Sequence, residues 1–146
     1  MGDSGRERLI HRRVVVDTHA LLWWQAKHRK LSRAARMALE RADEVLVSAV
    51  TCWEVATLLA AGRIRFDRSV TAWFADLEAD ERFEIVPLSP HSALVGYDLE
   101  RASFHGDPAD RMIYATAVDQ RAPLVTADTR ITQFAQSSSP PITVIW

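Results

Sequence analysis

Cys52 is the only cysteine in the 146 residues. That excludes an intramolecular disulfide and a cysteine-based zinc site, and it suits a reducing compartment. Apolar runs are short: the stretch from Leu46 to Trp53 falls far short of the ~20 residues a membrane span requires, so no span is expected. Met1 to Arg12 is polar and basic and lacks the apolar centre of a secretory signal, which makes a cytoplasmic location the expectation. Internal repeats are absent. The one low-complexity stretch, Ser137-Ser138-Ser139 followed by Pro140-Pro141, reads as a connector.

What is present is ordinary for a globular chain. With 48% hydrophobic and 25% charged residues there is enough apolar material for a sizeable core, which excludes collagen, coiled coil and general disorder. The length fits one domain, expected over residues 13–146 and preceded by a flexible basic extension over 1–12. Net charge is −1, but most of the positive charge comes early. Lys27, Arg29, Lys30, Arg33 and Arg36 read either as a solvated helix face and loop or as a track for a phosphate backbone.

Short runs rich in Val and Ile alternate with longer stretches of helical spacing. This is the pattern of an α/β protein, a three-layer α/β/α sandwich around a mostly parallel sheet of about five strands. Strands are expected at Arg13–Val16, Val45–Ser48, Glu84–Pro87, Pro123–Thr126 and Ile142–Ile145. Helices are expected after Asp17, from Ser32 to about Arg41, over Val50–Ala61 and over Ser69–Glu78. Three more follow Ser89-Pro90, Asp107-Pro108 and Thr129. Ser32, Ser89 and Asp107 are typical caps, and proline is tolerated in a first helical turn.

Lone acids interrupt these apolar segments. Asp17 is the sole charge from Val14 to Ala26, and Glu54 is the sole charge in residues 45–61. Asp128 follows the fourth expected strand, and Asp110 lies in the first turn of the helix leading into it. Ligand sites of open parallel sheets form beyond the carboxyl ends of the strands. Asp17, Glu54 and Asp128 all point to that edge. Each acid also has a purely structural reading: caps for Asp17, Asp107 and Asp128, and dipole complementation for Asp110. A carboxylate inside an apolar helix, as at Glu54, is costly unless something meets it. Crowded carboxylates repel unless a cation lies between them. Oxygen-only ligands suit Mg²⁺ or Mn²⁺, and such a site implies hydrolysis of a phosphodiester by metal-activated water.

Four blocks carry a resemblance: Val14-Val15-Val16-Asp17-Thr18-His19-Ala20-Leu21-Leu22-Trp23, Ser48-Ala49-Val50-Thr51-Cys52-Trp53-Glu54-Val55, His105-Gly106-Asp107-Pro108-Ala109-Asp110-Arg111 and Leu124-Val125-Thr126-Ala127-Asp128. In this order and spacing the chain resembles the PIN-domain ribonucleases, specifically VapC-type toxins of bacterial toxin–antitoxin pairs, over about residues 13–146. The resemblance implies a Mg²⁺- or Mn²⁺-dependent endoribonuclease that cuts structured RNA, often tRNA or ribosomal RNA. It also implies neutralisation by a small VapB-like antitoxin whose carboxyl-terminal segment covers the acidic pocket; a homodimer is a separate expectation, with the oligomeric state left open. By the same resemblance Asp17 and Asp110 are the principal catalytic metal ligands, and Glu54 and Asp128 complete the pocket directly or through water. Thr18 and Thr126 flank it as hydrogen-bond donors. Asp107 is a cap first and catalytic support second. One or two metals remain open.

Arg111 and Arg130 either hold phosphates or pair with neighbouring acids. Trp23 and Trp24 read as core or as a groove for a partner, and His19 and His105 as satisfied histidines. Two rival functions stand beside the nuclease. A haloacid-dehalogenase-like phosphohydrolase would use Asp17 as nucleophile, but it needs an acid where His19 stands. A PIN fold that has lost catalysis would bind RNA or protein only, but all four acids remain.

Overall fold

Val14, Val15 and Val16 have no exposed surface, as expected of a strand buried on both faces in the middle of a parallel sheet. The computed structural model describes residues 12–101, 107–137 and 142–146. It contains strands β1 (Arg13–Val16), β2 (Glu44–Ser48), β3 (Phe83–Val86), β4 (Leu124–Val125) and β5 (Val144–Ile145). The helices are α1 (Thr18–Gln25), α2 (Arg33–Arg41), α3 (Ala49–Ala60), α4 (Val70–Ala79), α5 (Pro90–Arg101), α6 (Pro108–Gln120) and α7 (Thr129–Ser137). The strands form one parallel sheet in the order β3-β2-β1-β4-β5.

Alternation along the strands divides the core in two. Val14 and Val16, with Val45 and Val47, face Ala20, Leu21, Ala35, Leu39, Trp73 and Leu77. Val15 and Leu46 face Ile113, Tyr114, Ala117 and Ile131. Helices α1, α2 and α4 therefore cover one face and α5, α6 and α7 the other, which is the expected three-layer sandwich.

The capping grammar holds. Ser32, Ser69 and Asp107 accept first-turn amides of α2, α4 and α6, and the Ser89 hydroxyl accepts from Ser92 N–H at 3.0 Å. Gly62, just past α3, has φ +71°, the left-handed conformation that glycine adopts without a Cβ penalty.

Strand limits differ from the sequence reading. Pairing with Arg13 extends β2 back to Glu44, and β3 runs Phe83–Val86, one residue earlier than expected, stopping before Pro87, which has no N–H to donate. The fourth and fifth strands are shorter than expected. Thr126 N–H still donates to Ile145 O at 3.3 Å just past the ladder, and only Val144 and Ile145 pair in register with β4. The expected extension lies outside the described residues except for Arg12, whose Nε donates to Asp43 at 3.2 Å. The connector at 138–141 and His105 lie outside them too. Among the described residues no helix is long and apolar enough to cross a membrane.

Candidate active site

Neighbouring β1 and β4 are followed by crossovers on opposite sides of the strand order, so a crevice opens beyond their carboxyl ends. Asp17 is the first residue past β1. Its N–H donates to Val125 O at 3.1 Å, and its side chain ends the strand and opens α1: Oδ1 accepts from Ala20 N–H at 2.9 Å. The other carboxylate oxygen accepts from the Thr126 hydroxyl. That hydroxyl, fully buried, in turn accepts from Asp128 N–H at 3.1 Å. A single threonine thus ties the two strand ends together.

Glu54 reaches the same crevice from α3, where it accepts from the Thr18 hydroxyl. Thr18 also lies 3.2 Å from the Thr51 hydroxyl. An ionised carboxylate can only accept, so the one Thr18 proton goes to Glu54. Helix α6 leads into β4 and therefore begins at the carboxyl edge. There Asp107 caps it, accepting from Asp110 N–H at 2.8 Å, and Asp110 follows one turn later. Asp128 stands at the start of α7 and is gripped by Arg130, whose Nε lies 3.3 Å from Oδ1 and whose Nη2 lies 3.0 Å from Oδ2. The same Nη2 is 3.6 Å from Asp110.

Asp17, Glu54, Asp107, Asp110 and Asp128 line one cleft of about 330 Å³, together with Thr18, His19, Trp23 and Arg130. Oxygens of Glu54, Asp107 and Asp110 lie within 4.8 Å of one another. The electrostatics of this crowding are lopsided. Burial pushes the Asp17 pKa up against the hydrogen bonds of Thr126 and Ala20. Burial also raises Glu54 against its bond from Thr18, with Asp107 and Asp17 adding repulsion. Asp110 is pushed up to about 6 by burial and by Asp107, Asp128 and Glu54. Asp128 differs: burial alone would raise it, but the bonds and charge of Arg130 outweigh burial and hold it below the ordinary range.

Such a donor set fits a hard divalent cation. It offers oxygen ligands only, three of them close enough to share one ion after small side-chain movements, and a doubly positive charge would relieve the repulsion that raises Asp110.

The four sequence-singled acids are therefore brought together, and both threonines contact carboxylates. Structural and functional readings coincide at Asp17 and Asp107, which are caps and line the cleft. The closest trio contains Asp107, which reads from sequence as a cap first and catalytic support second, and leaves out Asp17, which reads with Asp110 as a principal ligand; the signal for Asp107 is the Asp107-x-x-Asp110 spacing, one helical turn. Arg111 is not among the cleft-lining residues, whereas Arg130 pairs with acids. His19 is exposed on the rim. Trp23 and Trp24 are both half-buried: Trp23 walls the cleft, and Trp24 packs against Phe83 under the Arg82 guanidinium.

This fold and this acidic crevice define the class. The PIN domain model matches residues 14–136, and the chain belongs to the PIN-domain family. Within it the chain stands with VapC proteins: it is 41% identical over 118 residues to Ribonuclease VapC22 of Mycobacterium tuberculosis, covering 81% of this chain and 88% of that protein. Among solved structures, a toxin-antitoxin complex from Klebsiella pneumoniae matches with TM-score 0.63 at 22% identity, over 91% of this chain and 96% of that chain. VapBC2 from Rickettsia felis, bound to a DNA fragment from their promoter, matches with TM-score 0.61 at 14% identity, over 90% and 96%. At these identities the two structures share the fold.

Proposed function

We propose that this chain is a Mg²⁺- or Mn²⁺-dependent endoribonuclease of VapC type, a single PIN unit that hydrolyses tRNA or ribosomal RNA in the cytoplasm and is neutralised by a VapB-like antitoxin. The observation that carries the reading is the convergence of acids from four remote segments on one cleft, three of them with oxygens within 4.8 Å. A bound divalent ion supplies the charge that lowers the pKa of an attacking water and neutralises the leaving oxygen. Glu54, Asp107 and Asp110 would hold it, with Asp17 facing the same space from β1. Thr18 and Thr126 orient Glu54 and Asp17 through their hydroxyl protons. The relative named a ribonuclease and the neighbours named toxin–antitoxin complexes support the activity and the partner. Pairing of two copies belongs to the same proposal, and Leu94 and Tyr97, 62% and 56% exposed on α5, are side chains such a contact would cover.

The test is direct. Purified free of antitoxin, the chain should cut RNA with Mg²⁺ or Mn²⁺, stop with chelator, and resume on adding Mn²⁺; cutting that persists in chelator overturns the metal-dependent reading. A small phosphate ester hydrolysed in preference to RNA would favour the phosphohydrolase instead.

Arg130 predicts the metal affinity. Its guanidinium, 61% exposed, bridges Asp128 and Asp110 and so places a cation beside the divalent site. Arg130→Gln should tighten Mn²⁺ binding by about tenfold in a calorimetric titration, since one like charge is removed at short range in a well-solvated setting. Unchanged or weaker binding would show that Arg130 does not compete.

A further inference from the structure

An acidic cleft repels the polyanion it is to cut, so something outside it must draw the strand in. We infer that the RNA leaves the cleft over the indole of Trp23 toward Lys30 and the cationic segment beyond, and that the nucleotides on this path are unpaired. The inference rests on the ribonuclease reading above.

Trp23 is the shared wall of two cavities: the acidic cleft and an adjoining one of about 530 Å³, on whose rim stand Arg65 and Arg68. The indole is presented by a built device. Helix α1 stops with Lys27 in the left-handed region at φ +52°, a conformation a side-chain-bearing residue seldom adopts. Lys27 N–H donates to Trp24 O at 3.2 Å and His28 N–H to Trp23 O at 2.8 Å, the paired bonds that reverse a chain after a helix. The reversal lays the His28 ring along Trp23, with centroids 6.1 Å apart and planes at 27°. It also sets Lys30 Nζ 5.7 Å from the indole centre. His19 on the cleft rim and Trp146 lean on the same ring at 5.9 and 5.8 Å.

Positive charge is concentrated in the segment that follows Trp23 in the chain. Lys27, Arg29, Lys30, Arg33 and Arg36 are exposed, and none forms an ion pair with a described carboxylate. Acids therefore line the cleft, a half-buried aromatic cluster carrying Lys30 stands at its edge, and further exposed cations without an ion pair among the described residues follow in the chain. A ligand with a phosphate and a planar base at every step uses both the rings and the cations. An acidic peptide would use the cations alone. Bases reach an indole only when they are not stacked inside a duplex.

The measurement is fluorescence anisotropy of a labelled twelve-nucleotide unpaired RNA on the full chain, in chelator so that cleavage does not intrude, across a salt series. The Lys30→Gln/Arg33→Gln double variant should lower the slope of log Kd against log salt by about 1.4, two phosphate contacts at ~0.7 each. The charge-retaining Lys30→Arg/Arg33→Lys pair should restore it. Trp23→Leu should weaken binding by about tenfold or more without altering the slope. Should that variant not fold, the exposed Lys30 and Arg33 changes still decide the matter. The path is overturned if the double variant binds with unaltered slope and affinity, or if a duplex of the same sequence binds as well. It is also overturned if these variants spare RNA but lose an antitoxin peptide, which would make the surface a protein site. Cleavage by the native chain together with any of these results removes the path alone, whereas absence of RNA cleavage with every metal removes the ribonuclease reading itself.

Discussion

Asp110→Asn is expected to lower RNA cleavage by at least about a hundredfold while making the metal-free protein more stable. The two effects share one cause. Asp110 is pushed up to about 6 by burial and by three acids around it, so at neutral pH the fold holds a charge it disfavours. Removing that charge should gain about 1 kcal/mol, discounted from the full shift because water reaches the half-open cleft. For a domain of this size that is a rise in Tm of about 2–4 °C. The sign of the pH dependence follows. An acid whose folded pKa is raised destabilises the fold above that pKa, and relief comes on protonation. The stability difference between the Asn variant and the native chain should therefore be largest above pH 6 and fade as pH drops toward 3.8, the ordinary value. Asp17 and Glu54, also raised, add the same trend to both proteins. Asp128, held low by Arg130, contributes the opposite trend below that window. Scanning calorimetry of both proteins in chelator is the measurement, and an Asn variant that melts lower at neutral pH would contradict the account.

Metal should reverse the order. A divalent ion stabilises only the state that binds it, in proportion to its concentration over Kd, and Asp110 is one of the three closest oxygen donors. Added Mn²⁺ should raise the native Tm and leave the variant nearly unmoved.

Much of this site was legible because its acids break apolar patterns. Val14-Val15-Val16 can only be a buried strand, so Asp17 had to sit at its exit, and Glu54 had no apolar reason to be in α3. The caps were equally readable, since Ser32, Ser89-Pro90 and Asp107-Pro108 carry local chemistry that needs no tertiary partner. What could not be read depends on side-chain direction across distant elements. Asp107 was visible as a cap, but its approach to Glu54 depends on how α6 packs beside α3. Asp128 and Arg130 are two residues apart, yet the fork of one on the other, with a reach to Asp110, requires the turn into α7. Strand limits failed where the pairing partner decides them: Glu44 joins β2 because Arg13 stands opposite it, and β3 stops before Pro87, which has no N–H to donate.

Asp17 separates structure from chemistry most sharply, because it is both a cap and a cleft acid. Asparagine keeps an oxygen that can accept the Ala20 amide, and it ranks with aspartate as a cap; alanine keeps nothing. Both Asp17→Asn and Asp17→Ala should lose RNA cleavage by at least about a hundredfold, since neither offers an anionic oxygen to a cation. Their stabilities should part. Alanine forfeits a cap worth about 1 kcal/mol and leaves the fully buried Thr126 hydroxyl without its acceptor, a further cost of about 1–3 kcal/mol. Asparagine forfeits neither the cap nor all of the polar contact, and it sheds a carboxylate whose burial raises its pKa. The alanine variant should therefore unfold about 2–4 kcal/mol more easily than the asparagine variant in urea, with both inactive. If Asp17→Asn cuts RNA at the native rate while Asp17→Ala does not, then Asp17 serves only to turn the chain from β1 into α1, and the cation must be held by α3 and α6 alone.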